Sequence, residues 1–278
     1  MDAVNKTLYI PLYGKSYVSK RSIILHDPKA EEIWTAECFP LKGKSASKWL
    51  AYYMAMRAAV FDRWLRQHME AAPEATVLHL GCGMDSRICR VGEQGHLWYD
   101  IDLPDVITQR KRYYQENETY RMLAANVTED DFLSIIEGKT AIVVMEGISM
   151  YLKPEQLKDL MTRLTDHFDQ VSLLMDCYTE FAAKASKYKN PINDVGVTKV
   201  YGLDEPKLLE GSKLSYLREV DMTPADLIDQ LQGMEQTVFR KLYAGKIARN
   251  MYRMYGTQKL YPFFSFRNHT IGNSDTGT

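Results

Sequence analysis

The stretch Val77-Leu78-His79-Leu80-Gly81-Cys82-Gly83 decides the fold, because a short apolar run ends there in two glycines separated by one residue. An apolar run of this length, bounded by glycine, is typical of a buried strand. Glycine allows a sharp turn and lets backbone N–H groups approach a ligand closely. We therefore predict a strand followed by a ligand-binding turn that includes Gly81 and Gly83.

Strands and helices alternate on the C-terminal side of this turn. Further strands are predicted at 96–103, 120–127, 141–145 and 171–175, with helices at 104–117 and 154–168. Strands that alternate with helices form a parallel sheet with helices on both faces. The sequence therefore predicts an α/β fold with a Rossmann-like doubly wound sheet.

Helical and irregular segments flank this core. A helix over 47–70 places Tyr53, Arg57, Val60 and Trp64 on one face. After the core strands, a long segment rich in Lys, Tyr and Gly is typical of a lid. It is followed by a predicted strand at 216–220, a helix at 236–255 and a last strand at 259–266. The resulting units are an N-terminal helical cap (1–72), a core (73–177 and 210–270), a lid insertion (178–209) and a tail (271–278).

Composition excludes several classes of partner. The 278 residues are 45% hydrophobic, and 35 basic against 36 acidic side chains give a formal charge of −1. This balance argues against nucleic acid and membrane surfaces, and no protein partner is evident. No signal peptide or membrane span is visible, so a cytoplasmic location is expected. The four cysteines cluster neither with each other nor with histidine, which predicts free thiols and no metal site.

An acidic strand end follows the glycine turn, at Asp100 and Asp102. A glycine turn followed by an acid at the next strand end suits a nucleoside, because a carboxylate accepts both ribose hydroxyls. Dinucleotide sites require a third glycine where this chain has Ser86. S-adenosylmethionine carries no phosphate and needs only the turn and the acid, so it is the predicted cofactor.

Arg57 lies on the apolar face of its predicted helix, where an unpaired charge is costly. The carboxylate of the cofactor is one candidate partner. An internal pair with Asp85, or extension of the side chain to solvent, is the alternative.

Three motifs resemble the leucine carboxyl methyltransferase family. Residues 80–87 (LGCGMDSR) are similar to its LGxGxDTR signature, 100–104 (DIDLP) to its ExDxP strand end, and 145–152 (MEGISMYL) to its xEGxxxYL strand end. Upstream, the segments around Lys20, His26-Asp27-Pro28 and Arg57 are also similar. The length and the 178–209 insertion are closer to the bacterial branch, which includes polyketide carboxyl methyltransferases of the tetracenomycin type.

The resemblance implies a class I methyltransferase fold with a C-terminal antiparallel strand, and it assigns cofactor-binding residues. Lys20 and Arg57 would hold the cofactor's carboxylate, Gly81 would line the methionine and ribose, and Asp102 would take the ribose hydroxyls. Glu146 would lie beside the ammonium group. Asn126 and Val127 fall where the family has Asp-Leu against the adenine.

The acceptor is predicted from what the motifs lack. Methylating a phenol or alcohol requires a base or a metal, whereas a carboxylic acid is already ionised at neutral pH. No histidine or metal cluster accompanies the motifs, so no catalytic residue is assigned and a small-molecule carboxylate is favoured. A hydroxyl acceptor and a non-catalytic nucleoside-binding protein are the alternatives. Tyr178, Tyr188 and Tyr201 are candidates for an acceptor pocket in the lid.

Overall fold

The computed structural model of the chain describes residues 6–129, 131–186, 192, 199–205, 213–243 and 252–259. Its strands are β1 (Thr76–Leu80), β2 (Trp98–Asp102), β3 (Tyr120–Ala124), β4 (Thr140–Met145), β5 (Gln170–Tyr178), β6 (Ser215–Glu219) and β7 (Tyr252–Lys259). They form one sheet in the order β3-β2-β1-β4-β5-β7-β6. Strands β1 to β5 pair in parallel, and β7 is antiparallel to both of its neighbours. The predicted doubly wound fold with a C-terminal antiparallel strand is confirmed.

Helices cover both faces of this sheet. Those described are α1 (Tyr9–Ser19), α2 (Pro28–Glu37), α3 (Lys48–Ala71), α4 (Arg87–Val91), α5 (Pro104–Arg110), α6 (Pro154–His167), α7 (Glu180–Ala185), α8 (Ala225–Ile228) and α9 (Gly233–Leu242). Short 3-10 turns occur at Gly43–Ala46, Phe132–Ile135 and Ser149–Tyr151. Across the described ranges, no helix combines the length and apolarity needed to span a bilayer.

The helix caps follow the sequence signals. The Asp27 side chain accepts the N–H of Ala30 at 2.9 Å, and Pro28 opens α2. Ser47 accepts the N–H of Trp49 at 3.3 Å and opens α3. These side chains satisfy backbone donors that have no partner within the helix. Helix α3 therefore begins and ends within one residue of its predicted bounds.

The central strand β1 is buried on both faces. Val77 packs in the cluster that contains Phe61 of α3, whereas Leu78 packs in the cluster that contains Leu160 of α6. Burial of each such side chain contributes about 1.5–3 kcal/mol to stability. Because successive residues of a strand point to opposite faces, His79 follows Val77 toward the α3 side.

The C-terminal prediction is wrong in part. The expected helix over 236–255 ends at Leu242, and its last residues belong to β7. Pairing decides this, because β7 forms a continuous antiparallel ladder with β5 from Tyr178–Tyr252 to Val171–Lys259. Those ladder bonds outweigh a helical pattern in the local sequence. The last strand is predicted at 259–266. Its first residue, Lys259, ends β7, and residues 260–266 lie outside the described residues. The helix predicted over 104–117 ends at Arg110.

Candidate active site

A cavity of about 410 Å³ opens at the carboxyl ends of the central strands, beneath α1 and α3. Doubly wound sheets bind their ligands at this edge, and the volume suits a small molecule. Its wall includes Lys15, Arg57, His79, Gly81, Gly83, Asp85, Asp102, Asn126, Val127 and Glu146. The structure therefore brings all but one of the predicted cofactor residues to a single cavity.

The glycine turn after β1 forms the floor of the cavity. Gly81 and Gly83 have φ angles of +67° and +51°, in the left-handed region that favours glycine. A Cβ atom at Gly81 would lie 2.7 Å from Cδ1 of Ile148. Both the backbone conformation and the available space thus require glycine at position 81.

Asp102 stands beside this turn at the end of β2. Its Oδ2 accepts the N–H of Gly83 at 2.7 Å, and its Oδ1 accepts the N–H of Leu103 at 2.8 Å. Burial raises the pKa of Asp102, and these two N–H groups work against that rise. Each carboxylate oxygen keeps a second lone pair, so the group can also accept hydrogen bonds from a ligand.

Asp100, two residues earlier, is not part of the cavity wall. Its carboxylate accepts hydrogen bonds from four buried side chains: His79, Trp98, Arg110 and Tyr120. The two acids at this strand end therefore differ in role. Asp102 borders the cavity, whereas Asp100 anchors buried side chains.

Arg57 is buried and lies between two carboxylates. Its Nε donates to Oε1 of Glu146 at 3.0 Å, and its Nη1 donates to Oδ2 of Asp176 at 2.7 Å. Asp176 also accepts the N–H of Gly147 at 2.6 Å. Burial opposes the charge of Arg57, but Asp176 and Glu146 outweigh it and raise its pKa. The internal partners of Arg57 are thus Glu146 and Asp176, not the predicted Asp85.

Arg87 completes the surroundings of Glu146. The Arg87 side chain is fully buried and donates through Nη2 to Glu146 and through Nε to Asp62 at 2.9 Å. Burial alone would raise the pKa of Glu146, but Arg57 and Arg87 outweigh it and lower that pKa. Glu146 is therefore an ionised carboxylate between two guanidinium groups.

Lys15 lies on the cavity wall, and Lys20 does not. Lys20 caps the end of α1 and is exposed, whereas Lys15 is 2% exposed with its Nζ 3.3 Å from Oδ1 of Asp85. The placement of Lys20 gives no support to its predicted role. Sequence reasoning missed Lys15, although its spacing of three residues from buried Leu12 places it on the inner face of α1. The same argument had identified Arg57.

Asn126 and Val127 both border the cavity. The Asn126 side-chain oxygen accepts the N–H of Thr128 at 3.1 Å and its hydroxyl at 2.9 Å. Both lone pairs of that oxygen are thereby engaged, so it is not available to accept a hydrogen bond from an adenine amino group. Val127 presents a buried side chain to the same wall.

The predicted lid tyrosines are separated. Tyr178 borders the cavity together with Tyr151, whereas Tyr201 lines a smaller hollow of about 210 Å³ beside α6. Tyr188 lies outside the described residues. The segment around Gly202 lies between the cavity and the smaller hollow. The N–H of Tyr201 donates to the carbonyl of Met150 at 2.8 Å, and the N–H of Leu203 donates to the carbonyl of Tyr178 at 2.7 Å.

Comparison with known proteins identifies the class. The leucine carboxyl methyltransferase family matches residues 12–165. The O-methyltransferase TcmP of tetracenomycin polyketide synthesis, from Streptomyces glaucescens, is 30% identical over 214 residues, 76% of this chain and 79% of the relative. The S-adenosyl-L-methionine-dependent methyltransferase dpfgK of Gibberella zeae is 29% identical over 183 residues, 60% of this chain and 61% of the relative.

The fold is shared with solved methyltransferase structures. A putative methyltransferase from Thermobifida fusca superimposes with a TM-score of 0.51 at 13% identity, over 84% of this chain and 87% of that one. The sheet order, the cavity and these relatives define an S-adenosylmethionine-dependent methyltransferase. More particularly, the chain belongs to the leucine carboxyl methyltransferase family.

Proposed function

We propose that the protein transfers the methyl group of S-adenosylmethionine to a carboxylate of a small apolar acceptor, which yields a methyl ester. Three features of the cavity support this proposal. The cavity contains buried cations with unused hydrogen-bond donors and carboxylates that can accept hydrogen bonds from a ligand. Its other end is apolar, and the ionisable groups there are poor bases. Bound S-adenosylmethionine supplies an electrophilic methyl group on its sulfonium, so the protein contributes binding, orientation and exclusion of water.

Lys15 and Arg57 would hold the carboxylate of the cofactor. The Lys15 ammonium is buried and makes one ion pair, with Asp85 at 3.3 Å. Within the described residues, Nη2 of Arg57 makes no hydrogen bond, since Glu146 and Asp176 occupy Nε and Nη1. Buried cations with unused donors favour an anionic ligand. The residues present thus fit the charged end of the cofactor.

Glu146 and Asp102 would hold the remaining polar groups. Glu146 is ionised and lies beside the two cations, so it suits the ammonium group of the cofactor. Asp102 lies at the glycine turn with one lone pair free on each oxygen, so it suits two ribose hydroxyls. Asn126 and Val127 border this second region and would contact the base.

The other end of the cavity is apolar and would receive the acceptor. Its side chains come from α1, α3, the segment after β4 and the end of β5, and they are Ile10, Leu50, Met54, Met150, Tyr151 and Tyr178. Such a surface favours an aromatic or alicyclic body over a polar one. The name of the Streptomyces relative refers to polyketide synthesis, and a polyketide-like acid would match these side chains.

The cap and the lid would close this end. We assign the cap to 1–72, the lid insertion to 178–209 and the cofactor-binding core to 73–177 and 210–270. Leu8 of the cap approaches the glycine turn, since a Cβ atom at Gly83 would lie 3.5 Å from the Cβ of Leu8. Tyr178 and Ile192 line the cavity from the lid side. Closure on both sides would exclude water from the transfer.

The observation that carries the carboxylate assignment is the state of the ionisable groups on the wall. Among the described lining residues the only histidine is His79, and Asp100 and Arg87 engage both of its ring nitrogens. Burial raises the pKa of Tyr151, so its hydroxyl is a poor base at neutral pH. A phenol or alcohol acceptor needs such a base, whereas a carboxylic acid is ionised without help.

Matched acceptors test this proposal. The protein is incubated with methyl-labelled S-adenosylmethionine and either 2-naphthoic acid or 2-naphthol, which share one ring system. We expect label in the acid, and release of labelled methanol from the product in mild alkali. Transfer to the naphthol, in a product stable to alkali, would contradict the carboxylate assignment and indicate hydroxyl methylation.

A further inference from the structure

His79 is a buried ionisable residue that the proposed chemistry does not use. It occupies β1 at 1% exposure, opposite Asp100 of β2 and Val144 of β4. Its Nδ1 lies 3.0 Å from Oδ1 of Asp100, and its Nε2 lies 2.9 Å from Nη1 of Arg87. The imidazole therefore connects a carboxylate on one side to a guanidinium on the other.

The partners determine the tautomer of this ring. A carboxylate oxygen only accepts and a guanidinium nitrogen only donates. Nδ1 must therefore carry the proton, and Nε2 must accept from Arg87. The charged groups that face the ring are Asp100 and Asp102 from β2, and Asp85 and Arg87 after the glycine turn. Burial and Arg87 lower the pKa of His79, which keeps the ring neutral.

The Asp100 side of this connection is immobilised. Besides His79, the Asp100 carboxylate accepts from Nε1 of Trp98 at 3.0 Å, from the hydroxyl of Tyr120 at 2.6 Å and from Arg110. With that many donors, the carboxylate is fixed, and so is the imidazole bound to it. His79 thus presents its Nε2 lone pair to Arg87 in one orientation.

The Arg87 side ends at the cofactor cavity. With Nη1 on His79, the guanidinium directs Nη2 to Glu146 and Nε to Asp62. Without an acceptor at Nε2, a buried N–H of Arg87 would lose its partner. The guanidinium would then gain by turning toward Asp85, whose Oδ2 is already 3.3 Å from Nη2. Glu146 would lose one of the two groups that orient it.

From this chain of contacts we infer that His79 is a positioning residue: through Arg87, it holds Glu146 in the orientation that receives the amino group of the cofactor. The inference rests on the proposed function, since it assigns Glu146 to that amino group. It extends the site by a residue that touches neither the cofactor's amino group nor the methyl group.

Two substitutions at His79 separate the two contacts of the ring. In His79→Gln the amide reaches about as far as Nε2, so its oxygen can still accept from Arg87. In His79→Asn the amide reaches only as far as Nδ1, so it can bind Asp100 but not Arg87. The matched control is His96→Gln: His96 is also buried, but it lies before β2 with its Nδ1 2.7 Å from the carbonyl of Ala75.

Calorimetry on the full chain measures the affinity for S-adenosylmethionine and for methylthioadenosine, which lacks the amino-acid end. We expect His79→Asn to weaken S-adenosylmethionine about tenfold, while methylthioadenosine affinity and kcat at saturating cofactor stay unchanged. His79→Gln should restore most of the loss. The His96→Gln control should change melting temperature only.

Several outcomes would overturn the inference. One is an equal loss of both ligands in His79→Asn, and another is an equal effect of the Asn and Gln variants. Nitrogen-15 spectra of the unsubstituted protein test it without a variant, and a proton on Nε2 would contradict it. Failure of the unsubstituted protein to bind S-adenosylmethionine would contradict the proposed function instead.

Discussion

The cavity has two sides that are built in different ways. The side proposed to bind the nucleoside, called the nucleoside side, consists of Gly81, Gly83 and Asp102, which lie close together in the sequence and interact through backbone N–H groups. The charged side consists of Lys15, Arg57, Arg87 and Asp176, each on a different helix or strand, and of Glu146 directly after β4. The nucleoside side is therefore a product of local turn chemistry, whereas the charged side exists only after the whole domain has packed.

The two sides also differ in how they tolerate change. On the nucleoside side each contact is a single hydrogen bond, and removal of one leaves the others intact. On the charged side Glu146 lies between Arg57 and Arg87, and Arg57 lies between Glu146 and Asp176. Removal of one member leaves buried charges without partners. We therefore expect loss of Arg57 from this charged group to affect folding, and loss of Asp102 on the nucleoside side to affect binding.

Arg57→Met should give the largest effect. It leaves the buried carboxylates of Glu146 and Asp176 without their shared partner, and such a loss costs about 3–5 kcal/mol of folding free energy. Urea denaturation near neutral pH measures it. A variant with an unchanged denaturation midpoint would show that Arg57 is not a structural partner of these acids.

Acid should partly rescue that variant. Burial raises the pKa of Asp176 even beside Arg57, so loss of Arg57 should raise that pKa further above its unfolded value of about 4. A group with a raised folded pKa stabilises the fold at low pH and loses that contribution as pH rises. The stability gap between variant and unsubstituted protein should therefore narrow on acidification from about pH 7 to about pH 5. A constant gap would contradict the explanation.

Asp102→Ala should affect binding rather than folding. Loss of a charge-assisted acceptor weakens S-adenosylmethionine binding by about 1.5–3 kcal/mol. Asp105→Ala is the matched control, because Asp105 is exposed in the first turn of α5. Calorimetry compares the two variants. Near-normal affinity in a folded Asp102→Ala protein would remove the ribose assignment.

These differences explain what the sequence could predict. Gly81, Gly83 and Asp102 belong to a strand–turn–strand pattern, so local rules place them at the same edge of the sheet. The position of Arg57 on the apolar face of its helix identifies it as a site residue. Its partner Asp176 lies on β5, far away in the sequence, and no motif around Asp176 indicates the pairing. Lys20 was assigned by likeness of a short segment, and the helical phase of α1 favours Lys15 instead. The predicted helix over 236–255 is wrong at its C-terminal end, because the pairing of those residues with β5 is a long-range contact that the local sequence does not show.

A smaller effect is expected from the two lysines of α1. Lys15→Met should weaken S-adenosylmethionine about tenfold, since one buried cation is lost near the cofactor carboxylate. Folding should change little, because Asp85 keeps its pairs with Arg87 and Arg90. Lys20→Met should leave affinity unchanged. The reverse pattern in calorimetry would restore Lys20 as the cofactor residue.

The smallest expected effect concerns the glycine turn itself. Gly81→Ala and Gly83→Ala both place a side chain in the left-handed region, but only Gly81 also meets a neighbour, at 2.7 Å. At Gly83 the nearest atom is 3.5 Å away, an ordinary contact. Crowding should thus make Gly81→Ala less stable than Gly83→Ala by about 1 kcal/mol. Equal denaturation midpoints would show that the Ile148 side chain moves aside without loss of folding free energy.

The division of the cavity into two sides is tested most directly by measuring two ligands against two variants. In the proposed binding mode S-adenosylmethionine engages both sides, whereas methylthioadenosine lacks the amino-acid end and engages only the nucleoside side. Calorimetry should show that Lys15→Met weakens S-adenosylmethionine but leaves methylthioadenosine unchanged, while Asp102→Ala weakens both by the same factor. If Lys15→Met weakens both ligands equally, or Asp102→Ala weakens neither, the assignment of the two sides is wrong.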